Sequence, residues 1–237
     1  MTPKELRWST AQTYEKNWWQ NHVDSLQLEF YRSYAEEAIR ELNDLIPIDQ
    51  NTVVLEIGSG AAGILTFLPS AHRHAIDPLE DFYSTVTRFV QFRDKEVKYY
   101  TMKAEQLEFP DAAFDLIIND NVLDHCENPL RVLQEMRRVL KPNGVVYLRL
   151  VTFHLWGKLI RATLEKFQID QGHPHTFTKK SITWAVNRSG FTVIRTSSAG
   201  YFRTWRNDLL SGTLKGFLKA ALFATRDKTL YILKKLD

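Results

Sequence analysis

The segment Val53-Val54-Leu55-Glu56-Ile57-Gly58-Ser59-Gly60-Ala61-Ala62-Gly63 runs an apolar, β-branched stretch straight into three glycines. Glycine is needed where the backbone turns tightly and a ligand must approach with no Cβ in the way. The spacing Gly58-x-Gly60-x-x-Gly63 is the dinucleotide pattern G-x-G-x-x-G, a weak signal by itself. Three acidic residues redirect it. Asp77 closes the next apolar stretch, placed for its carboxylate to accept both hydroxyls of a ribose. Ala104-Glu105 follows a third stretch, where an acidic side chain can accept from an exocyclic amine. Glu56 interrupts the otherwise apolar first strand just before the glycines. A carboxylate is unfavourable beside a pyrophosphate and favourable beside a sulfonium and an ammonium group.

The elements that must position these residues alternate in type. Short runs at 52–57, 72–76, 97–102, 114–119, 145–151, 191–196 and 229–236 read as strands, those at 52–57 and 114–119 almost wholly apolar. Leu28, Tyr31, Ala35, Ala38, Leu42 and Leu45 form one helical stripe, ended by Pro47 and Asp49-Gln50-Asn51. A helix is expected at 62–68, another from the Asn128-Pro129 cap to Leu140, and a third from Thr178 to Ser189-Gly190. Strands alternating with helices predict an α/β fold: a doubly wound, mostly parallel seven-stranded sheet with helices on both faces and an N-terminal helical cap. At 237 residues this is expected as a single domain. Residues 1–48 would form the cap, 49–152 the ligand-binding core, and 153–237 a C-terminal half with insertions, including an irregular stretch at 153–177.

LEIGSGAAG, the strand ending Ala75-Ile76-Asp77, AEQLEFPDAAFDLII (104–118), NVLDHCENP (121–129) and LKPNGVVYL (140–148) occur in one order over residues 50–150. With these motifs the chain resembles the class I, Rossmann-like methyltransferases that use S-adenosylmethionine. HPHTF and GFTVI carry a weaker likeness through the C-terminal half. The resemblance implies S-adenosylmethionine as methyl donor and S-adenosylhomocysteine as product. It implies that Gly58, Ser59, Gly60 and Gly63 shape the bed for the methionine moiety, with Glu56 in support. Asp77 would bind the ribose and Leu79 would pack near the adenine. Ala104 and Glu105 would face the adenine ring, and Asn119 would offer its carbonyl to the ammonium group.

Methyl transfer from a sulfonium is an in-line displacement dominated by positioning, so a general base is needed only where the acceptor must lose a proton. His173 and His175, two apart in Gly-His-Pro-His-Thr-Phe, are the candidates for that role, against a reading in which they fix the loop through backbone hydrogen bonds. No further clustered ligands accompany them, so no metal is expected. His125 reads as structural, where a loop turns into a helix. Tyr14 and Trp18 in the aromatic N-terminal stretch are candidates for the acceptor pocket, and core packing serves equally well. Cys126, the sole cysteine, excludes an internal disulfide and reads as a small apolar residue.

A net charge of +3 is too small to imply nucleic acid, and suits a small-molecule acceptor. With no apolar signal core or membrane-length run, a cytoplasmic protein is expected. The segment 213–226 combines an apolar stripe (Leu214, Phe217, Leu218, Ala221, Leu222) with basic residues. A membrane-surface contact is one reading; a covering helix with a solvated basic face is the preferred one. The favoured activity is methylation of a small molecule, at oxygen rather than nitrogen. The rivals are a NAD-dependent oxidoreductase and a non-catalytic partner subunit that keeps the fold.

Overall fold

The structure, a computed structural model, describes residues 2–166 and 172–236. Seven strands form one sheet: β1 (Val53–Ile57), β2 (His72–Asp77), β3 (Val97–Thr101), β4 (Phe114–Asp120), β5 (Leu140–Phe153), β6 (Phe191–Ser198) and β7 (Arg226–Lys235). Their order is β3-β2-β1-β4-β5-β7-β6. The first five pair in parallel, and β7 runs antiparallel to both neighbours. All seven expected strands are therefore present.

Successive residues of a strand point to opposite faces, so a strand apolar throughout feeds two cores. On one face Leu55, Ile57, Ile117 and Leu148 pack with Val132 and Met136 of α5 (Pro129–Val139) and Ile182 and Val186 of α7 (Lys179–Arg188). On the other, Val54, Leu116 and Ile118 pack with Ala35, Ala38 and Leu42. Those three lie on α2 (Leu28–Leu42), the stripe read from the sequence, which follows α1 (Pro3–Asn21). The caps form as expected: Asn128 accepts from Arg131 N–H and Thr178 from Ser181 N–H.

The helix expected at 62–68 does not form; residues Leu65–Phe67 make a single 3₁₀ turn. Only five residues separate Gly63 from Pro69. The buried Glu56 carboxylate takes the Ile64 and Leu65 N–H groups at 3.1 and 3.3 Å, closing the turn tightly. Two other short helices follow β2, α3 (Glu80–Tyr83) and α4 (Thr87–Gln91). The stretch expected to be irregular begins with α6 (Leu155–Lys166), and its residues 167–171 lie outside the described residues.

Between β6 and β7 lie α8 (Tyr201–Leu209) and α9 (Leu214–Ala221). Here the preferred reading of a covering helix is corrected. Gly216 and Ala220 face inward, while Leu214, Phe217, Leu218 and Leu222 are exposed. The inner face must be small because α8 passes close by: a Cβ on Gly216 would come within 2.6 Å of the Asp208 carbonyl. Trp205 Nε1 donates to Ala220 O at 2.9 Å and Trp156 Nε1 to Leu222 O at 3.0 Å, tying α6, α8 and α9 together. Among the described residues, no helix is long and apolar enough to cross a membrane.

Candidate active site

A cavity of about 420 Å³ opens at the carboxyl ends of β1, β2 and β4, under a roof made by α1 and α2. Ligands of open α/β sheets lie at that end of the strands. Its floor is the glycine loop. Gly58 and Ser59 N–H donate to Ile76 O at 2.8 and 3.2 Å, pinning the loop to β2. Gly58, Gly60 and Gly63 have φ of +75°, +58° and +72°, so all three need the left-handed region that only glycine enters cheaply.

Two buried carboxylates hold this loop. Asp77 accepts from Gly60 N–H at 3.0 Å through Oδ2 and from Leu79 N–H at 2.9 Å through Oδ1. Burial pushes its carboxyl up to about 6, opposed by those two hydrogen bonds. Burial pushes Glu56 up to about 7, opposed by the Ile64 and Leu65 N–H groups and reinforced by Asp120 and Asp77. Beneath the loop Arg93 grips both oxygens of the buried Glu80 at 2.7 and 2.8 Å. It also donates to Ala61 O at 2.8 Å and Gly60 O at 3.3 Å. Arg93 carried no signal in the sequence, since it opens the charged run Arg93-Asp94-Lys95-Glu96, which looks solvated.

Of the other predicted positions, Leu79, Ala104 and Glu105 line the cavity. Glu105 Oε1 also accepts from Glu127 and Asn128 N–H at 2.7 and 3.0 Å, anchoring the start of α5. Asn119 lies buried between Ile57 and Leu148 in the sheet, below the cavity wall formed by Asp120 and Asn121. Ser59 Oγ, Asn121 Oδ1 and both polar side-chain atoms of Asn119 are buried without a hydrogen-bond partner. Unsatisfied polar groups are costly, and a cluster at the sheet's ligand end suits a polar guest.

The roof differs from the expectation. Tyr14 and Trp18 are half exposed and do not line the cavity; Trp18 stacks on His22. The adjacent face of α1 lines it instead, with Trp8, Gln12, Glu15 and Trp19 at helical spacing. Trp19 packs edge-on against Tyr83 and Phe89, with ring centroids 6.0 and 5.6 Å away. Further along, Phe30, Tyr34, Val151, Arg226 and Lys228 line the cavity. Arg149, buried behind them, pairs with Asp120 and Glu37 and lies 3.8 Å over the Tyr34 ring, latching α2 to the sheet.

The histidines separate in role. His175 Nε2 lies 3.3 Å from Glu127 O and the His175 backbone N–H donates to Asp124 O at 3.2 Å, so it ties its segment to the loop after β4. His173 sits with its ring 4.4 Å from that of His125, and His125 lines the cavity. Cys126 is buried, and burial pushes its thiol well up, which disfavours a nucleophile.

Residues 55–148 match the family described as a methyltransferase domain. Over 122 residues the chain is 28% identical to the thiol S-methyltransferase TMT1B of Mus musculus, covering 48% of this chain and 49% of that one. Over 121 residues it is 30% identical to the malonyl-[acyl-carrier protein] O-methyltransferase of Marinomonas sp. (strain MWYL1), covering 49% and 44%. The chain thus spans about half the length of the curated relatives it matches. Among solved structures it is similar to geranyl diphosphate C-methyltransferase from Streptomyces coelicolor A3(2), in complex with Mg²⁺, geranyl diphosphate and S-adenosyl-L-homocysteine. That likeness has a TM-score of 0.63 at 14% identity and covers 91% of this chain and 83% of the other. The glycine loop and the strand order agree with these matches: residues 55–148 are similar to a methyltransferase domain, carried on a Rossmann-like, doubly wound sheet.

Proposed function

We propose that this protein transfers the methyl group of S-adenosylmethionine to a small-molecule acceptor, at oxygen rather than nitrogen. The observation that carries the reading is the pair of buried carboxylates, Glu56 and Asp77, converging on a left-handed glycine loop at the ligand end of the sheet. Burial makes their charged forms costly in the free protein, and a sulfonium and an ammonium group nearby would offset that cost. Gly58, Ser59, Gly60 and Gly63 bed the methionine moiety, with Asn119 presenting its carbonyl to the ammonium group. Asp77 takes the ribose, and Leu79, Ala104 and Glu105 surround the adenine. Residues 1–48 act as the cap and 153–237 supply the acceptor side of one cytoplasmic enzyme. Any acceptor proton is handled in the His173–His175 segment. The relatives act on sulfur, oxygen, nitrogen and carbon by their names, so the acceptor atom is the finer part of the reading. Labelled methyl transfer to a panel of phenols, alcohols, carboxylic acids, thiols and amines tests it. Oxygen methylation supports the reading, and transfer confined to amines sinks it.

A pH dependence follows. Asp77 and Glu56 have folded-state pKa values raised above the ordinary carboxylate range, to about 6 and about 7. Their contribution to stability is full below about pH 4 and is lost as pH rises through those values. The cationic donor favours the ionised forms, so its affinity should rise from pH 5.5 to 7.5, with proton release on binding. Calorimetry in buffers of different ionisation enthalpy reads that release. Asp77→Asn should reduce the release and weaken donor binding about 10–100-fold, the worth of hydrogen bonds to a charged acceptor. Unchanged affinity in this variant would remove Asp77 from the site.

The exposed face of α6, α8 and α9 supports a membrane-surface role. Trp156, Leu159, Phe202, Leu214, Phe217 and Leu222 are all more than half exposed, with Phe202 at 82%. In α8 and α9, Arg203, Arg206, Lys215 and Lys219 stand against a single acid, Asp208. Apolar side chains flanked by cations match an anionic bilayer surface. The protein should float with vesicles containing phosphatidylglycerol, and Phe202→Ser/Phe217→Ser should abolish flotation. Equal recovery with neutral vesicles, or none with either, contradicts the assignment.

A further inference from the structure

Asp124, His125 and His173 each place one ligand atom within 4.8 Å of the other two, bringing together residues almost fifty positions apart. The loop after β4 supplies Asp124 and His125, and the chain leading to α7 supplies His173. The two segments are fastened by the bond from the His175 backbone N–H to Asp124 O. Asp124 is 5% exposed, and its Oδ1 is buried without a hydrogen-bond partner among the described residues. A buried carboxylate in that state is expensive unless a cation faces it. The imidazoles of His125 and His173 share this corner, and an imidazole nitrogen lone pair can serve a metal ion.

We infer that Asp124, His125 and His173 form a site for a divalent transition-metal ion at the wall of the cavity. Two histidines and one carboxylate are a ligand set that suits zinc, iron(II), manganese or cobalt. Ligand atoms on one tetrahedral ion lie about 3.4 Å apart for metal–ligand bonds near 2.1 Å, so ring rotations of about an ångström close the set. Three protein ligands leave at least one position open. Because His125 lines the cavity, an oxygen or sulfur of an acceptor bound there can reach that position. A metal-coordinated hydroxyl or thiol loses its proton to solvent more readily, so the His173–His175 segment would act on the acceptor proton through the ion rather than as a free base. This use of the ion rests on the methyl-transfer reading, whereas its binding does not.

The experiment uses the full chain without a purification tag, freed of metal by chelator and titrated with Co²⁺ and Zn²⁺ in the absence of methyl donor. One equivalent should bind with micromolar or tighter affinity, with Co²⁺ giving visible absorption of a nitrogen- and oxygen-ligated ion. His125→Gln and His173→Gln should each weaken binding at least 10-fold, and Asp124→Asn likewise. His72→Ala, at the exposed start of β2, should leave it unchanged. Absence of one-equivalent binding, or affinity unchanged in both His125→Gln and His173→Gln, overturns the site. Donor binding is measured separately on the metal-free chain, so failure of the methyl-transfer reading shows there and not in the metal titration.

Discussion

Gly58→Ala is expected to lower donor affinity by at least about 100-fold, the scale set by misplacing a binding element by about an ångström. Two costs combine at this position. The backbone sits at φ +75°, where an alanine is strained by about 1–2 kcal/mol. The added Cβ would also press on Val122, whose own Cβ would lie only 2.9 Å away, so the turn after β4 must move rather than merely rotate a side chain. That turn carries Asn121, itself in the left-handed region at φ +59°, and leads to Asp124 and His125. Gly60→Ala provides the contrast. It carries the φ cost, but the nearest atom to its Cβ would be Trp19 Cζ2 at an ordinary 3.7 Å. Thermal unfolding should therefore rank Gly58→Ala well below Gly60→Ala, and Val122→Ala should restore part of the first and none of the second. Equal stability of the two glycine variants would mean that the loop is not packed as described.

Arg93→Met is expected to cost about 3–5 kcal/mol of stability, the usual penalty for removing one partner of a buried ion pair. Both side chains of the Arg93–Glu80 pair are almost fully enclosed, so Glu80 would be left charged and unpaired. Arg93 also holds the Gly60 and Ala61 carbonyls and stacks 4.0 Å over the Tyr99 ring. The double variant Arg93→Met/Glu80→Leu removes the orphaned charge and should recover most of the stability. It should not recover donor affinity, because the two loop carbonyls still lack their donor. Denaturant unfolding and donor titration of the single and double variants separate the two effects. If the single change costs less than about 1 kcal/mol, the pair is not buried as described.

The sheet was legible because its central strands, β1, β4 and β5, are apolar on both faces, and β1 and β2 are stopped by glycine and by an acid. Glu56 and Asp77 were legible for the opposite reason, as charges where an apolar strand should continue. The helix expected at 62–68 failed because Ile64-Leu65-Thr66-Phe67-Leu68 is apolar without being long enough, and because a side chain eight residues back supplies the hydrogen bonds. Periodicity reports which residues share a helix face and says little about which way that face points. Tyr14 and Trp18 were expected at the pocket, which Trp8, Gln12, Glu15 and Trp19 of α1 line instead, and the apolar stripe of α9 was expected to face inward and is exposed. The meeting of His125 with His173 depends on how two loops cross at one end of the sheet, and no local pattern encodes that crossing.

The central claim is that the glycine loop, Glu56 and Asp77 form a site for a sulfonium nucleoside. Calorimetric titration of the purified protein with S-adenosylmethionine, S-adenosylhomocysteine and NADH tests it most directly. Micromolar binding of both sulfur compounds, with release of protons near pH 6.5 and no heat from NADH, is the predicted result. Binding of NADH in their place, or no binding of either sulfur compound, would contradict it.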